Sequence, residues 1–258
     1  MKKKLFVIGA IVLVLALVAG GVLFTALPRN IDVAARMTNE MVRTEDGDFY
    51  FHMYVPQGDG PGLGWPVVIF LHGSGESGTG HFTPAQLNRN GDFSVLQWLF
   101  DEQNSADHTA IVLLPRCPEG YRWADGETNV SRRLFAMLEQ VRAHTAVDDA
   151  RIYLIGNSLG GFGTVSLLAH HPDVFAAGVA NAAGWSRYDD RALLPNLVHT
   201  PLWLFQSDEV RWSRDLAHEV EQLGGSVRYT EFSRSRRGTL ERALAEPVLL
   251  PWLFAQSR

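Results

Sequence analysis

Six residues constrain this chain more than any others: Gly156-Asn157-Ser158-Leu159-Gly160-Gly161. An apolar run at 151–156 reads as a buried strand, and 158–170 reads as a helix. A strand that turns directly into a helix leaves room only for small residues around the serine, hence Gly156 and Gly160. The turn lifts the Ser158 hydroxyl above the strand end. The Leu159 amide opens the helix with no partner inside it, and the positive end of the helix dipole points to the same place. This is how a nucleophilic serine is presented on an elbow. The competing reading is a glycine-rich helix start that only packs closely; strand before and helix after favour the elbow.

The rest of the chain repeats the alternation. Strands are expected at 48–55, 66–71, 110–115, 151–156, 176–181, 201–206 and 226–232. Helices are expected at 86–101, 129–144, 158–170, 212–223 and 239–255, the last interrupted by Pro247 and Pro251. Strands apolar throughout and separated by helices imply a mostly parallel sheet covered by helices on both faces. Residues 31–258 then form one domain. In such sheets ligands bind at the carboxyl ends of the strands. His72-Gly73-Ser74-Gly75 follows the 66–71 strand, so the backbone amides of Gly73 and Ser74 are candidates for a second oxyanion donor beside Leu159.

Four blocks carry a family resemblance: Trp65-Pro66-Val67-Val68-Ile69-Phe70-Leu71-His72-Gly73, Arg116-Cys117-Pro118-Glu119-Gly120-Tyr121-Arg122-Trp123, the elbow with its strand, and Pro201-Leu202-Trp203-Leu204-Phe205. The chain resembles an α/β-hydrolase of the bacterial carboxylesterase and phospholipase-like group, related to polyhydroxybutyrate depolymerases and feruloyl esterases. The resemblance implies that fold and an ester-hydrolysing ancestry, with a small-molecule ester or acyl ligand. It carries the nucleophile onto Ser158 and the triad acid onto Asp208, with Glu209 as an alternative. The two carboxylates also suit the start of the next helix. Tyr121 and Trp123 are expected at the pocket wall or in the core.

The third triad member is where the chain departs. The family places a histidine after the last strand. Matching the flanks without a gap puts Arg237 there, and arginine stays protonated in proteins. All nine histidines precede residue 219. His108, His144, His170, His171 and His199 fall on the wrong end of the sheet, and His52 and His218 lie within a strand and a helix. His72 belongs to the turn itself. That leaves His81, on a glycine-rich loop, as the one substitute base. Loss of the base costs about 10⁶ in turnover in a comparable serine hydrolase, so a pseudoenzyme serving as a ligand-binding or protein-interaction module is the alternative to an impaired esterase. Arg234, Arg236, Arg237 and Arg242 form a basic cluster that reads either as an anion clamp or as a solvated loop.

All three lysines stand at Lys2, Lys3 and Lys4, ahead of an uncharged apolar stretch at 5–27. As a helix it would span roughly 35 Å, enough for a bilayer core. Residues 1–30 are therefore expected to be one N-terminal transmembrane helix or signal segment, with the lysines cytoplasmic and the domain on the extracytoplasmic side. Weak small-residue sites near Ala19-Gly20 and Ala26 keep secretion after cleavage open. Without those lysines, the remaining 20 arginines face 28 acids, which excludes an electrostatic nucleic-acid binder. One cysteine, Cys117, excludes a disulfide framework. Neither a metal nor a cofactor is called for by the residues that carry the chemistry.

Overall fold

The computed structural model describes residues 32–58, 60–89, 91–101, 108–123, 129–233 and 238–258. Its eight strands are β1 (Thr38–Thr44), β2 (Gly47–Tyr54), β3 (Trp65–Leu71), β4 (Ile111–Pro115), β5 (Val147–Asn157), β6 (Ala177–Asn181), β7 (Leu202–Ser207) and β8 (Arg228–Phe232). They form one sheet in the order β1-β2-β4-β3-β5-β6-β7-β8. β1 and β2 pair antiparallel, β2 pairs antiparallel with β4, and the other neighbours are parallel.

The helices are α1 (Val33–Arg36), α2 (Pro84–Leu87), α3 (Ser94–Phe100), α4 (Asn129–His144), α5 (Leu159–His170), α6 (Trp212–Gln222), α7 (Thr239–Leu244) and α8 (Leu249–Phe254). Two 3₁₀ segments, Ser74–Glu76 and Arg191–Val198, complete the described elements. The sheet divides the apolar residues by strand alternation. Val67, Ile69 and Leu71 pack with Leu134, Val165 and Leu216, from α4, α5 and α6. Val68 and Phe70 face the other way, toward Leu87, Leu96, Leu240 and Leu253, from α2, α3, α7 and α8. Burial on both faces is why β3 is apolar at every position, with no polar alternation.

Two features differ from expectation. β1 was not anticipated; its residues Thr-Asn-Glu-Met-Val-Arg-Thr are mostly polar and it is held by a turn onto β2. The helix expected at 86–101 is two helices. Thr83 and Gln86 form a reciprocal cap at the start of α2, and Gly91 adopts φ +95 before α3. Between them Asn88 turns back to accept from the Val33 amide at 2.8 Å and donate to Asp32 at 2.8 Å. The expected transmembrane or signal segment at 1–30 lies outside the described residues. Among the described residues no helix is long and apolar enough to cross a membrane.

Register positions the site. Leu71 pairs with Gly156, Asn157 with Asn181, and Ser207 with Phe232. The carboxyl ends of five parallel strands are therefore level, and the residues just beyond them share one ledge. The two outer strands are charged: Glu40 and Arg43 lie on β1, Arg228 and Glu231 on β8.

Candidate active site

Ser158 adopts φ 52, ψ −114 at the junction of β5 and α5. Positive φ is rare for a residue with a Cβ and costs about 1–3 kcal/mol. The surroundings enforce it. The Ser158 amide donates to Asn181 O at 2.9 Å, and its carbonyl accepts from Phe162 N at 3.0 Å. A Cβ on Gly156 would stand 2.1 Å from Gly160 O, and one on Gly161 2.6 Å from Asn181 O. These contacts admit glycine alone, as the motif requires. The serine itself is exposed. The Leu159 amide is at the first position of α5, where no intrahelical acceptor exists.

Ser158 opens onto a cavity of about 410 Å³. Asp92, Asn157, Asn181, Ser207, Trp212 and Thr239 are among its lining residues. Polar side chains link across it: Asn157 Nδ2 donates to Asp92 Oδ1 at 2.6 Å, and Asn181 Nδ2 donates to Asn157 Oδ1 at 2.6 Å and to Thr239 Oγ1 at 3.2 Å. Asn181 Oδ1 and Ser207 Oγ are buried without a hydrogen-bond partner. Trp212 stands at the rim, 51% exposed, its ring 5.6 Å from that of Phe162.

The loop after β3 is held from beneath by His72. Its ring is fully buried, with Nδ1 2.7 Å from Gly73 O and Nε2 accepting from Cys117 N at 3.0 Å. Burial pushes its pKa down to about 4, so the ring is neutral and donates through Nδ1. Trp123 donates through Nε1 to His72 O at 2.9 Å, and a Cβ on Gly163 would stand 2.1 Å from Trp123 Cβ. Trp123 is thus a core wedge between loop and helix. Tyr121 is exposed beneath the Arg133 guanidinium, and neither ring lines the cavity. Arg116 stitches the next stretch, its guanidinium donating to the carbonyls of Glu76, Thr79 and His81 at 3.1–3.2 Å.

The expected residues divide. Ser158, Gly156, Gly160, Leu159 and the 73–74 loop come together around the β3 and β5 ends. Gly73 does not present a free amide: its N–H donates to Asp92 Oδ2 at 2.6 Å. Asp208 is exposed, its amide donating to Phe232 O at 3.0 Å, and it does not line the cavity although Gln206 and Ser207 do. His81 is turned away. Its Nε2 lies 2.7 Å from Glu40 O, and its ring packs edge-on against Tyr50 and His52, under the β1–β2 hairpin. Among the described residues no imidazole lines the cavity. Arg234, Arg236 and Arg237 lie outside the described residues. Arg242 donates to Ser233 O at 3.1 Å and covers the Phe232 ring.

Asp92, Asn181, Trp212 and Thr239 were not singled out from sequence. Asp92 had a usable signal: a carboxylate directly after Asn90-Gly91, a turn pair that breaks the expected helix. Asn181 ends a strand on the ledge and could have been found by its register with Asn157.

Comparison with known proteins bears on the fold. Residues 123–208 match the prolyl oligopeptidase family. The chain is 30% identical over 179 residues to a probable glutamyl endopeptidase, chloroplastic, of Arabidopsis thaliana, covering 63% of this chain and 18% of that protein. It is 24% identical over 141 residues to poly(3-hydroxyalkanoate) depolymerase C of Paucimonas lemoignei, covering 55% of this chain and 33% of that protein. The chain therefore spans 18% to 33% of the length of these curated relatives. A solved thermostable esterase superposes with a TM-score of 0.75 at 23% identity, over 88% of this chain and 64% of that one. The chain thus has the α/β-hydrolase fold, and the proteins it is similar to include peptidases, a depolymerase and an esterase.

Proposed function

We propose that the chain is a serine hydrolase of the carboxylesterase type, with Ser158 as nucleophile and a small-molecule ester or acyl compound as ligand. The observation that carries this is the strained Ser158 backbone, φ 52, at a strand-to-helix elbow opening onto a polar cavity. Strain of that kind persists only where the surroundings over-determine it. In this reading Ser158 attacks the ester carbonyl, and the oxyanion donors are the amides of Leu159, Ser74 and Gly73. Asp208 is the acid, and the match of sequence flanks gives the base's position to Arg237. Turnover is impaired accordingly. The domain works on the extracytoplasmic side of a membrane, held there by the apolar stretch at 5–27, or is released after cleavage.

A second reading is a pseudoenzyme that binds its ligand without turnover. Two observations favour it: the imidazoles of His72 and His81 are engaged by the carbonyls of Gly73 and Glu40, and the Gly73 amide is already engaged. A fluorophosphonate probe separates the two. Covalent labelling that disappears in Ser158→Ala is the expected result. Absence of labelling at high probe concentration would sink the esterase reading and leave the binding module.

A further inference from the structure

The oxyanion side of the cavity is occupied by a side chain of the protein itself. Gly73 N–H donates to Asp92 Oδ2, and Asn157 Nδ2 to Asp92 Oδ1, each at 2.6 Å. Both distances are short. A Cβ on Gly73 would stand 2.6 Å from the same Asp92 oxygen. The carboxylate is therefore pressed onto the loop after β3. Asn157 immediately precedes Ser158 and is itself held by Asn181, so Asp92 is tied at one oxygen to the donor loop and at the other to the elbow.

Glu76 lies against the pair. Burial, followed by the nearby Asp92 charge, holds its carboxyl up at about 7, while Arg89, at 3.2 Å, opposes the rise. Arg116 reaches the Glu76 carbonyl from β4. A tetrahedral intermediate needs its negative oxygen among the amides at Leu159, Gly73 and Ser74. An ionised side chain on Gly73 removes one donor and puts a fixed charge beside the developing one. Loss of a single oxyanion donor costs about 10²–10³ in turnover.

We propose that Asp92 is a built-in occupant of the oxyanion site: it sits where a ligand's negative oxygen would be received, and anions bind beside Ser158 only when it is displaced. For its catalytic meaning the inference rests on the serine reading. For the binding it describes, it does not.

The test uses full-length protein in detergent, labelled with [¹⁵N]glycine, and benzoate as a carboxylate probe that needs no reaction at Ser158. In the wild type, the Gly73 amide resonance should lie downfield and benzoate should leave it in place. In Asp92→Ala the resonance should move upfield, and benzoate should then shift it with an affinity roughly tenfold or more above wild type. Asp92→Asn keeps an oxygen for Asn157 and removes the charge; it should show the same direction, and decides alone if the alanine variant does not fold. The gain should persist in a Ser158→Ala background, because anion capture needs donors and no nucleophile. Failure of fluorophosphonate labelling would thus remove the serine reading and leave this measurement intact. A Gly73 resonance unmoved by the Asp92 substitutions, or benzoate affinities within about twofold of wild type, would overturn the inference.

Discussion

Gly160 and Leu71 meet backbone to backbone: a Cβ on Gly160 would stand 1.8 Å from the Leu71 carbonyl oxygen and 2.8 Å from that of His72. The first turn of α5 is thereby seated on the end of β3, which fixes the distance between Ser158 and the 73–74 loop. Gly160→Ala should destabilise the fold by about 3 kcal/mol or more, because the obstacle is backbone that cannot rotate away. Gly62→Ala is the control: nothing lies within 4 Å of its Cβ position, and the change should stay within about 0.5 kcal/mol. Urea unfolding of the two variants checks both values.

Glu76→Gln should raise stability at pH 8. The folded-state pKa of about 7 exceeds the usual 4.5, so the folded protein holds a proton that the unfolded chain releases between those values. Stability from this group is lost as pH rises through that window. Glutamine keeps the shape and removes the ionisation. The expected gain is on the order of 1–2 kcal/mol at pH 8 after screening, vanishing near pH 4. A wild-type stability unchanged by the substitution at pH 8 would contradict this account of the Glu76–Asp92 contact.

His52 and His72 act in the opposite sense. Burial depresses both to about 4 from 6.5, so unfolding at pH 5 takes up protons that the native state refuses. Their stability contribution is present above about pH 6.5 and is lost as pH falls toward 4. With two histidines against one Glu76, acidification from pH 7 to 5 should lower stability, and Glu76→Gln should steepen that fall. His72→Ala should cost about 2–4 kcal/mol at pH 7, since it removes a fully buried ring and the acceptor to which the Cys117 amide donates. Thermal unfolding across pH 4.5–8 checks the slopes.

Arg237→His should raise ester hydrolysis by about 10²-fold or more if a base is the main deficiency. Added to Asp92→Asn it should exceed the product of the single effects, because proton removal and oxyanion binding serve one transition state. His81→Ala should leave hydrolysis unchanged, its imidazole being spent on Glu40 O. Initial rates with a short-chain aryl ester measure all four chains.

The parts legible in the sequence are those set by local pattern. Apolar runs gave β3 to β7, since strands buried on both faces carry little else, and the elbow glycines gave Ser158. What was not legible depends on contacts far apart in the chain. Asn88 caps α1 from 55 residues away, which divides a helix that periodicity alone would continue. β1 lies at the sheet edge and carries no apolar signature. Asp92 looked like a helix residue until the fold carried it 19 positions back to Gly73. The fate of His81 turned on the β1–β2 hairpin, whose first strand was unseen.

The charged outer strands have a consequence for crowding. Glu40 and Arg43 on β1, and Arg228 and Glu231 on β8, put ionised groups beside the two rows of unpaired backbone amides and carbonyls. On β8 the Glu231 carboxylate is also clasped by Arg214, at 3.0 Å from its Nε. A further strand added there would have to strip these ions of water. Copies meeting at these two edges therefore gain little by joining sheets.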